Sequence, residues 1–234
     1  MPLASLTRYP GGLTNVDPGD AFADFGMLDP FKYAVVADEF MRYAAAEWTI
    51  GGSGVPALLA AGDGGILNIP TIATISSEQD MQWGSPAELP FTPDLTKDLW
   101  FAARIRLDGV SRTSFHVGLD IADASPIASD PTNGIYIRKG DNTSIPTAVL
   151  RLAGVDAATV AIGTMVDNAW YEFVIAYTAA NGVLNAFQNN AAYRLATNPA
   201  ALPSVALGIN LALTNNTAVI RTMGVDYFMA AKQR

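Results

Sequence analysis

Apolar and polar residues alternate with period two through most of the chain. Phe101, Ala103, Ile105 and Leu107 alternate with Ala102, Arg104 and Arg106. Phe115, Val117, Leu119 and Ile121 alternate with His116, Gly118, Asp120 and Ala122. Tyr171, Phe173, Ile175 and Tyr177 interleave with Trp170, Glu172 and Val174. Val205, Leu207, Ile209, Leu211 and Leu213 follow the same rule, and Val219, Arg221, Met223, Val225, Tyr227 and Met229 are expected on one face of a long final strand. Such alternation predicts half-buried antiparallel strands. Turn chemistry separates them: Asp108-Gly109, residues 130–134, residues 139–142, Ala179-Ala180-Asn181-Gly182 and Asn189-Asn190. Two-residue Asn and Gly turns favour hairpins because these residues tolerate positive φ. About a dozen strands without regular helix alternation predict an all-β, two-sheet antiparallel sandwich. Phe101, Ile105, Val117, Leu119, Phe173, Ile175, Leu207 and Val225 are its expected core.

The first 30 residues show no sustained period. They hold turn chemistry, Pro10-Gly11-Gly12 and Asp17-Pro18-Gly19-Asp20, interspersed with large apolar residues. Residues 1–36 are therefore read as an extended arm and residues 37–234 as the sandwich domain. The arm's Leu6, Arg8, Tyr9, Leu13, Phe22 and Phe25 are its expected contact residues, docked either on the chain's own sandwich or on a neighbouring subunit. Asp29-Pro30 offers a helix opening that residues 32–47 could continue; a strand over 33–41 competes, and the resemblance given below favours the strand.

Composition narrows the chemistry. Half of the 234 residues are hydrophobic, which suits a packed core and not disorder. The net charge is −8, with 22 acidic against 14 basic residues, which argues against a charge-built groove for nucleic acid. The absence of cysteine removes disulfides, thiol catalysis and Cys-based metal sites. A single histidine, His116, removes multi-His metal centres. No stretch reaches the roughly 20 apolar residues of a membrane-spanning helix. No secretory pattern is visible, so the expectation is a protein made without export and without a membrane partner.

Three stretches together resemble the concanavalin A-like jelly-roll superfamily of lectins and glucanases. They are Ala37-Asp38-Glu39-Phe40 with Trp48-Thr49, the hairpin from Trp170 to Phe187, and Val225-Asp226-Tyr227-Phe228-Met229. A narrower likeness covers nearly the whole chain: Arg8 to Val16, Gly62 to Ile69, Leu99 to Leu107, Phe115 to Asp123 and Asn133 to Asp141, in that order. It resembles a family of structural proteins of tailed-bacteriophage particles built on this sandwich. That resemblance implies a non-enzymatic virion protein assembled in the host cytoplasm, with a capsid decoration or cement protein as the expected role. Its implied partners are the major capsid protein and sister copies of itself, as dimer or trimer. The alternative is a carbohydrate-binding or tail-associated receptor-binding module.

The chemistry that the superfamily could bring is limited here. Its retaining glucanases use two carboxylates in an E-x-D-x-x-E strand. This chain reads Glu78-Gln79-Asp80-Met81-Gln82-Trp83, with Trp83 in place of the second Glu, so no glycosidase activity is expected. His116 has no G-x-S-x-G elbow to serve and reads as a histidine on a sheet face or interface. Calcium-binding members hold the ion through loop oxygens. Asp120, Asp123, Asp130 and Asp141, with Asn133 and Asn142, are the residues that resemblance offers for calcium. Asp and Asn also build ordinary turns, so the expectation is no cofactor, with calcium the one exception to test. Arg104 and Arg106 share a polar face with Glu172 and Asp226, which suggests cross-strand ion pairs. Trp83, Trp100 and Trp170 are either packed residues or a platform for sugar rings.

Overall fold

A computed structural model describes residues 32–59, 65–83 and 90–234. Fifteen strands are described: β1 (Tyr33–Asp38), β2 (Trp48–Gly52), β3 (Ala57–Leu58), β4 (Leu67–Pro70), β5 (Glu78–Trp83), β6 (Leu99–Leu107), β7 (Thr113–Asp120) and β8 (Gly134–Lys139). They continue as β9 (Thr147–Leu152), β10 (Val155–Ala161), β11 (Trp170–Thr178), β12 (Val183–Gln188), β13 (Ala191–Thr197), β14 (Gly208–Asn215) and β15 (Thr222–Gln233). Among the described residues the helical pieces are single 3-10 turns at Ala45–Glu47 and Val110–Arg112. Of the helix and the strand weighed for this region, the strand forms, as β1, followed by a short turn. β1 begins at Tyr33, so the sandwich takes in residues that the sequence had assigned to the arm. Leu6, Arg8, Tyr9, Leu13, Phe22 and Phe25 lie outside the described residues.

Two antiparallel sheets face each other. The eight-stranded sheet runs β13-β12-β11-β6-β15-β4-β3. β1 joins it on β15, from Tyr33 opposite Gln233 to Asp38 opposite Phe228, while β4 occupies the other end of the same strand. The seven-stranded sheet runs β10-β9-β8-β7-β14-β5-β2. All eight expected core residues lie in one cluster between the sheets, each with no exposed surface. Phe115 of one sheet meets Phe173 of the other, ring centroids 5.6 Å apart. At one edge Phe40, Trp48 and Phe228 form a second ring contact, with Trp48 and Phe228 5.5 Å apart and edge-on.

Tight turns set the register. Asn189 (φ 47°) and Asn190 (φ 66°) join Gln188 to its partner Ala191 in a two-residue turn, the mirror-image type that matches strand twist. Ala179–Gly182 links Thr178 to Val183 as the hairpin predicted. The final strand departs from simple alternation. A β-bulge between Val225 and Tyr227 shifts its register against β6. The extra residue reverses every following side chain. Met223 and Val225 therefore point into the core, whereas Tyr227 and Met229 pack on the outer face and Phe228 and Ala230 take their place inside. Val219 is half exposed and precedes the strand.

Candidate functional site

The outer face of the seven-stranded sheet gathers the polar residues that alternate with the core. Register places Asp80, Ala212, His116 and Arg138 in one row across β5, β14, β7 and β8. Gln82, Asn210, Gly118 and Tyr136 form the adjacent row. Glu78 and Asp120 flank these rows at opposite ends. Period-two geometry alone puts these side chains on one face.

This face is not in water. His116 and Asp120 are 1% and 0% exposed, and Asp80, Gln82, Asn210 and Tyr136 are all buried. The connection between β7 and β8, residues 121–133, is tied down across it. The Glu78 carboxylate accepts from the Ile127 amide at 2.9 Å and the Ala128 amide at 3.2 Å. Gln82 Nε2 donates to the Ile121 carbonyl at 3.2 Å. Asp130 pairs with Arg138, and Pro126 within the loop is buried. Next to this clasp, Asp156 joins Arg138 at 2.9 Å and Arg151 more closely still.

Within the cluster His116 Nε2 lies 2.5 Å from Asp120 Oδ2, and Asn210 Nδ2 donates to Asp120 Oδ1 at 3.3 Å. The Tyr136 ring covers the imidazole, centroids 4.2 Å apart. Several buried polar atoms have no hydrogen-bond partner among the described residues: Asp80 Oδ1, His116 Nδ1, Asn210 Oδ1 and the Tyr136 hydroxyl. Such groups are uncommon in folded proteins, and each costs about 1–3 kcal/mol. Burial pushes the Asp80 carboxyl up to about 6, reinforced by the negative charge of Glu78. Burial also raises Glu78 and Asp120, and in both cases nearby hydrogen bonds oppose the shift. The Tyr136 hydroxyl is raised as well, first by burial and then by Asp130.

Two catalytic constellations are not formed here by the described residues. In a Ser-His-Asp triad the second imidazole nitrogen holds a hydroxyl. Here Nδ1 has no partner among the described residues. Trp83 pairs with Trp48 and packs against the core, on the opposite face from Glu78 and Asp80. No carboxylate stands at that position.

The four aspartates offered for calcium are distributed differently from a single cage. Asp120 is engaged by His116 and Asn210. Asp123 accepts from the Ser125 amide at 2.9 Å, and Asp130 is paired with Arg138. Asp141 lies beyond the far end of β8, where it accepts from Asn142 and Asn216. The length of β8 separates it from Asp120 by roughly 20 Å, at about 3.3 Å per residue. Among the described residues no three His, Cys, Asp or Glu side chains are grouped to hold a metal ion.

The tryptophans are packed residues, not an open platform. Trp48 and Trp100 are buried. Trp170 is half-buried, with the Arg104 and Arg106 guanidiniums 5.2 and 4.9 Å from its ring centre. Arg104 also meets Asp226 at 2.5 Å, the cross-strand pair that the polar face predicted. Sequence reasoning missed the burial of the His116 face. Alternation marks which residues leave the core, but a cover supplied by a loop 13 residues long has no periodic signal.

No family model matches the chain, and no curated protein does either. Solved structures do. The carbohydrate recognition domain of Emp47p superposes with a TM-score of 0.61 at 14% identity, over 87% of this chain and 98% of that one. A protein of unknown function from Shewanella oneidensis MR-1 gives 0.60 at 11% identity, over 86% and 87%. The lectin UEA-II, solved with galactose, gives 0.57 at 11% identity, over 86% and 99%. The chain therefore has the concanavalin A-like, lectin-type jelly-roll fold.

Proposed function

We propose that this protein is a non-enzymatic binding module whose ligand is a carbohydrate. The observation that carries the reading is a set of four buried polar atoms on one sheet face without a hydrogen-bond partner among the described residues: Asp80 Oδ1, His116 Nδ1, Asn210 Oδ1 and the Tyr136 hydroxyl. Together they offer acceptors and a donor in two neighbouring rows, which suits a ligand bearing many hydroxyls. Gly118 and Ala212 add little side chain of their own to these rows, and Tyr136 fills the space over Gly118 while its ring lies on the imidazole. Support also comes from the fold, since similar structures include a carbohydrate recognition domain and a lectin solved with galactose. Entry requires the 121–133 loop to lift, breaking the Glu78 and Arg138 ties. A glycan array probed with the full-length protein tests this, followed by calorimetric titration of any hit. Binding that is lost in Asn210→Ala supports it. No binding across the array, with ordered water filling the cluster instead, contradicts it.

A second reading has an observation of its own. One end of the sandwich carries five exposed aliphatic side chains, Ile75, Ile145, Val166, Val219 and Ile220, each between 46 and 61% exposed. Their loops are linked by hydrogen bonds from Asn215 to the carbonyls of Ile72 and Val219, and from the Met165 amide to Ser144. Such a rim suits protein contact better than sugar. It fits a structural protein of a phage particle, with the major capsid protein and sister copies as partners. Counting copies in purified particles by mass spectrometry distinguishes this reading from the first.

A further inference from the structure

Four carboxylates gather at the buried polar face, and three of them are matched by partners. Glu78 accepts from the Ile127 and Ala128 amides, and Asp123 from the Ser125 amide. Asp120 is held by His116 and Asn210. The nearby guanidiniums are committed elsewhere, Arg138 to Asp130 and Asp156, Arg151 to Asp156. Asp80 stands apart. It is 3% exposed, and its Oδ1 has no hydrogen-bond partner among the described residues. The charges that act on it are those of Glu78, Asp123 and Asp120, all of its own sign. Its position is built rather than accidental. Asp80 pairs with Gly51 of the edge strand β2, and a Cβ on Gly51 would lie 2.0 Å from Asp80 Oδ1. The carboxylate therefore lies over β2 in the space that glycine leaves. On its other side Ala212 contributes only a methyl group. Beyond that, Asn210 stands diagonally across on β14, with no exposed surface and with Oδ1 also lacking a partner.

We propose that the ligand of this face is an amino sugar, whose protonated amine is held by Asp80 Oδ1 while its hydroxyls reach Asn210 Oδ1. The proposal rests on the carbohydrate reading above and narrows it to a cationic glycan. A hydroxyl would give Asp80 a hydrogen bond but no opposite charge, and a buried carboxylate needs both. An ammonium group supplies both, with three donors and no acceptor to leave stranded. The unused capacity matches it, since Asp80 Oδ1 and Asn210 Oδ1 only accept. Diagonal neighbours on adjacent strands stand roughly 7–8 Å apart, a gap that one sugar ring with its substituents bridges. Among the described residues the acids are not grouped to hold a metal ion, so the missing positive charge is assigned to the ligand. The net charge of −8 favours the approach of a cationic glycan.

The experiment titrates the full-length protein calorimetrically at pH 6 with short oligomers of glucosamine and of galactosamine. Their N-acetylated counterparts, which lose the charge and keep the ring hydroxyls, are titrated beside them, and a glycan array supplies the neutral sugars. The expected result is affinity about tenfold or more higher for a free-amine oligomer than for its acetylated form. Asp80→Asn keeps the shape and removes the charge, and in it the difference is expected to fall to about threefold or less. Gly51→Ala places a methyl group against the same carboxylate and is expected to act likewise, which serves if Asp80→Asn does not fold. Acetylated oligomers bound as tightly as free amines overturn the proposal and leave the carbohydrate reading standing. An amine preference that survives in folded Asp80→Asn does the same, because the charge would then be read elsewhere. No affinity for any glycan, charged or neutral, overturns both.

Discussion

The two sheets present opposite solutions to the same problem, an outer face that does not meet water. On the eight-stranded sheet the buried part of that face is apolar, built from Trp100, Ala102, Val174, Ala176, Met229 and Ala231. On the seven-stranded sheet it is polar, built from Asp80, Gln82, His116, Asp120 and Asn210. The first kind of burial stabilises without further conditions, since apolar area leaves water. The second stabilises only where every polar group finds a partner, and here several do not. The apolar face is therefore structural, whereas the polar face keeps unused hydrogen-bonding capacity, which is what a binding site requires.

The comparison can be broken by substitution. The largest effects are expected from Trp100→Ala and Asp120→Ala, each about 3–5 kcal/mol by chemical denaturation, for different reasons. Trp100→Ala leaves a cavity in the apolar cluster on the outer face of the eight-stranded sheet. Asp120→Ala strands a buried imidazole and amide that now share its carboxylate. If Asp120→Ala were neutral, the polar cluster would be wetter than its burial indicates. Asp120→Asn separates charge from shape and is expected to cost less than the alanine variant.

A smaller effect is expected from pH. Asp80 titrates near 6 in the fold, above the ordinary value of 3.8. Its charged form is thus disfavoured when folded, so the penalty is complete above pH 6 and gone below about 4. Glu78 and Asp120 are shifted in the same direction. Stability is expected to rise as pH falls from 7 towards 5. In Asp80→Asn the neutral-pH stability should increase and that rise should shrink, as thermal unfolding at several pH values will show. Lys139 gives the opposite sign at alkaline pH. Burial lowers it to about 8, while its ammonium donates to the carbonyls of Val110, Thr113 and Gly140. Its charged form is disfavoured in the fold, so stability should increase from pH 8 to about 10.5, and Lys139→Met should remove that increase.

The smallest effect is expected at the exposed half of the eight-stranded sheet. Arg104→Ala removes the Asp226 pair and one cation over Trp170, but the Arg104 side chain is 43% exposed. A loss of about 0.2–1 kcal/mol, weakened by salt, is expected.

The strands and the core were legible in the sequence because period two is imposed by the pleat itself. Phe101 to Leu107 and Phe173 to Tyr177 follow it without interruption, and each inward residue lies in the core. The final strand was misread after Val225, because one inserted residue reverses the alternation while leaving the composition unchanged. The turn at Ala153-Gly154 also went unread. Ala153 adopts φ 48°, a conformation that alanine does not advertise. The polar site was only half legible. Glu78, Asp80, His116 and Asp120 were each noticed, but as separate motifs, since nothing local says that β5, β7 and β14 lie side by side. Asn210, from the third of these strands, was missed altogether as a site residue.

The central claim is that the buried polar face of the seven-stranded sheet binds a carbohydrate. The most direct measurement is calorimetric titration of full-length protein with glycans selected on an array, comparing wild type with Asn210→Ala and with Arg104→Ala on the other sheet. The account predicts binding by wild type and Arg104→Ala, and at least a tenfold loss in Asn210→Ala that retains its thermal unfolding transition. Equal affinity in all three proteins, or no affinity for any glycan, would contradict it.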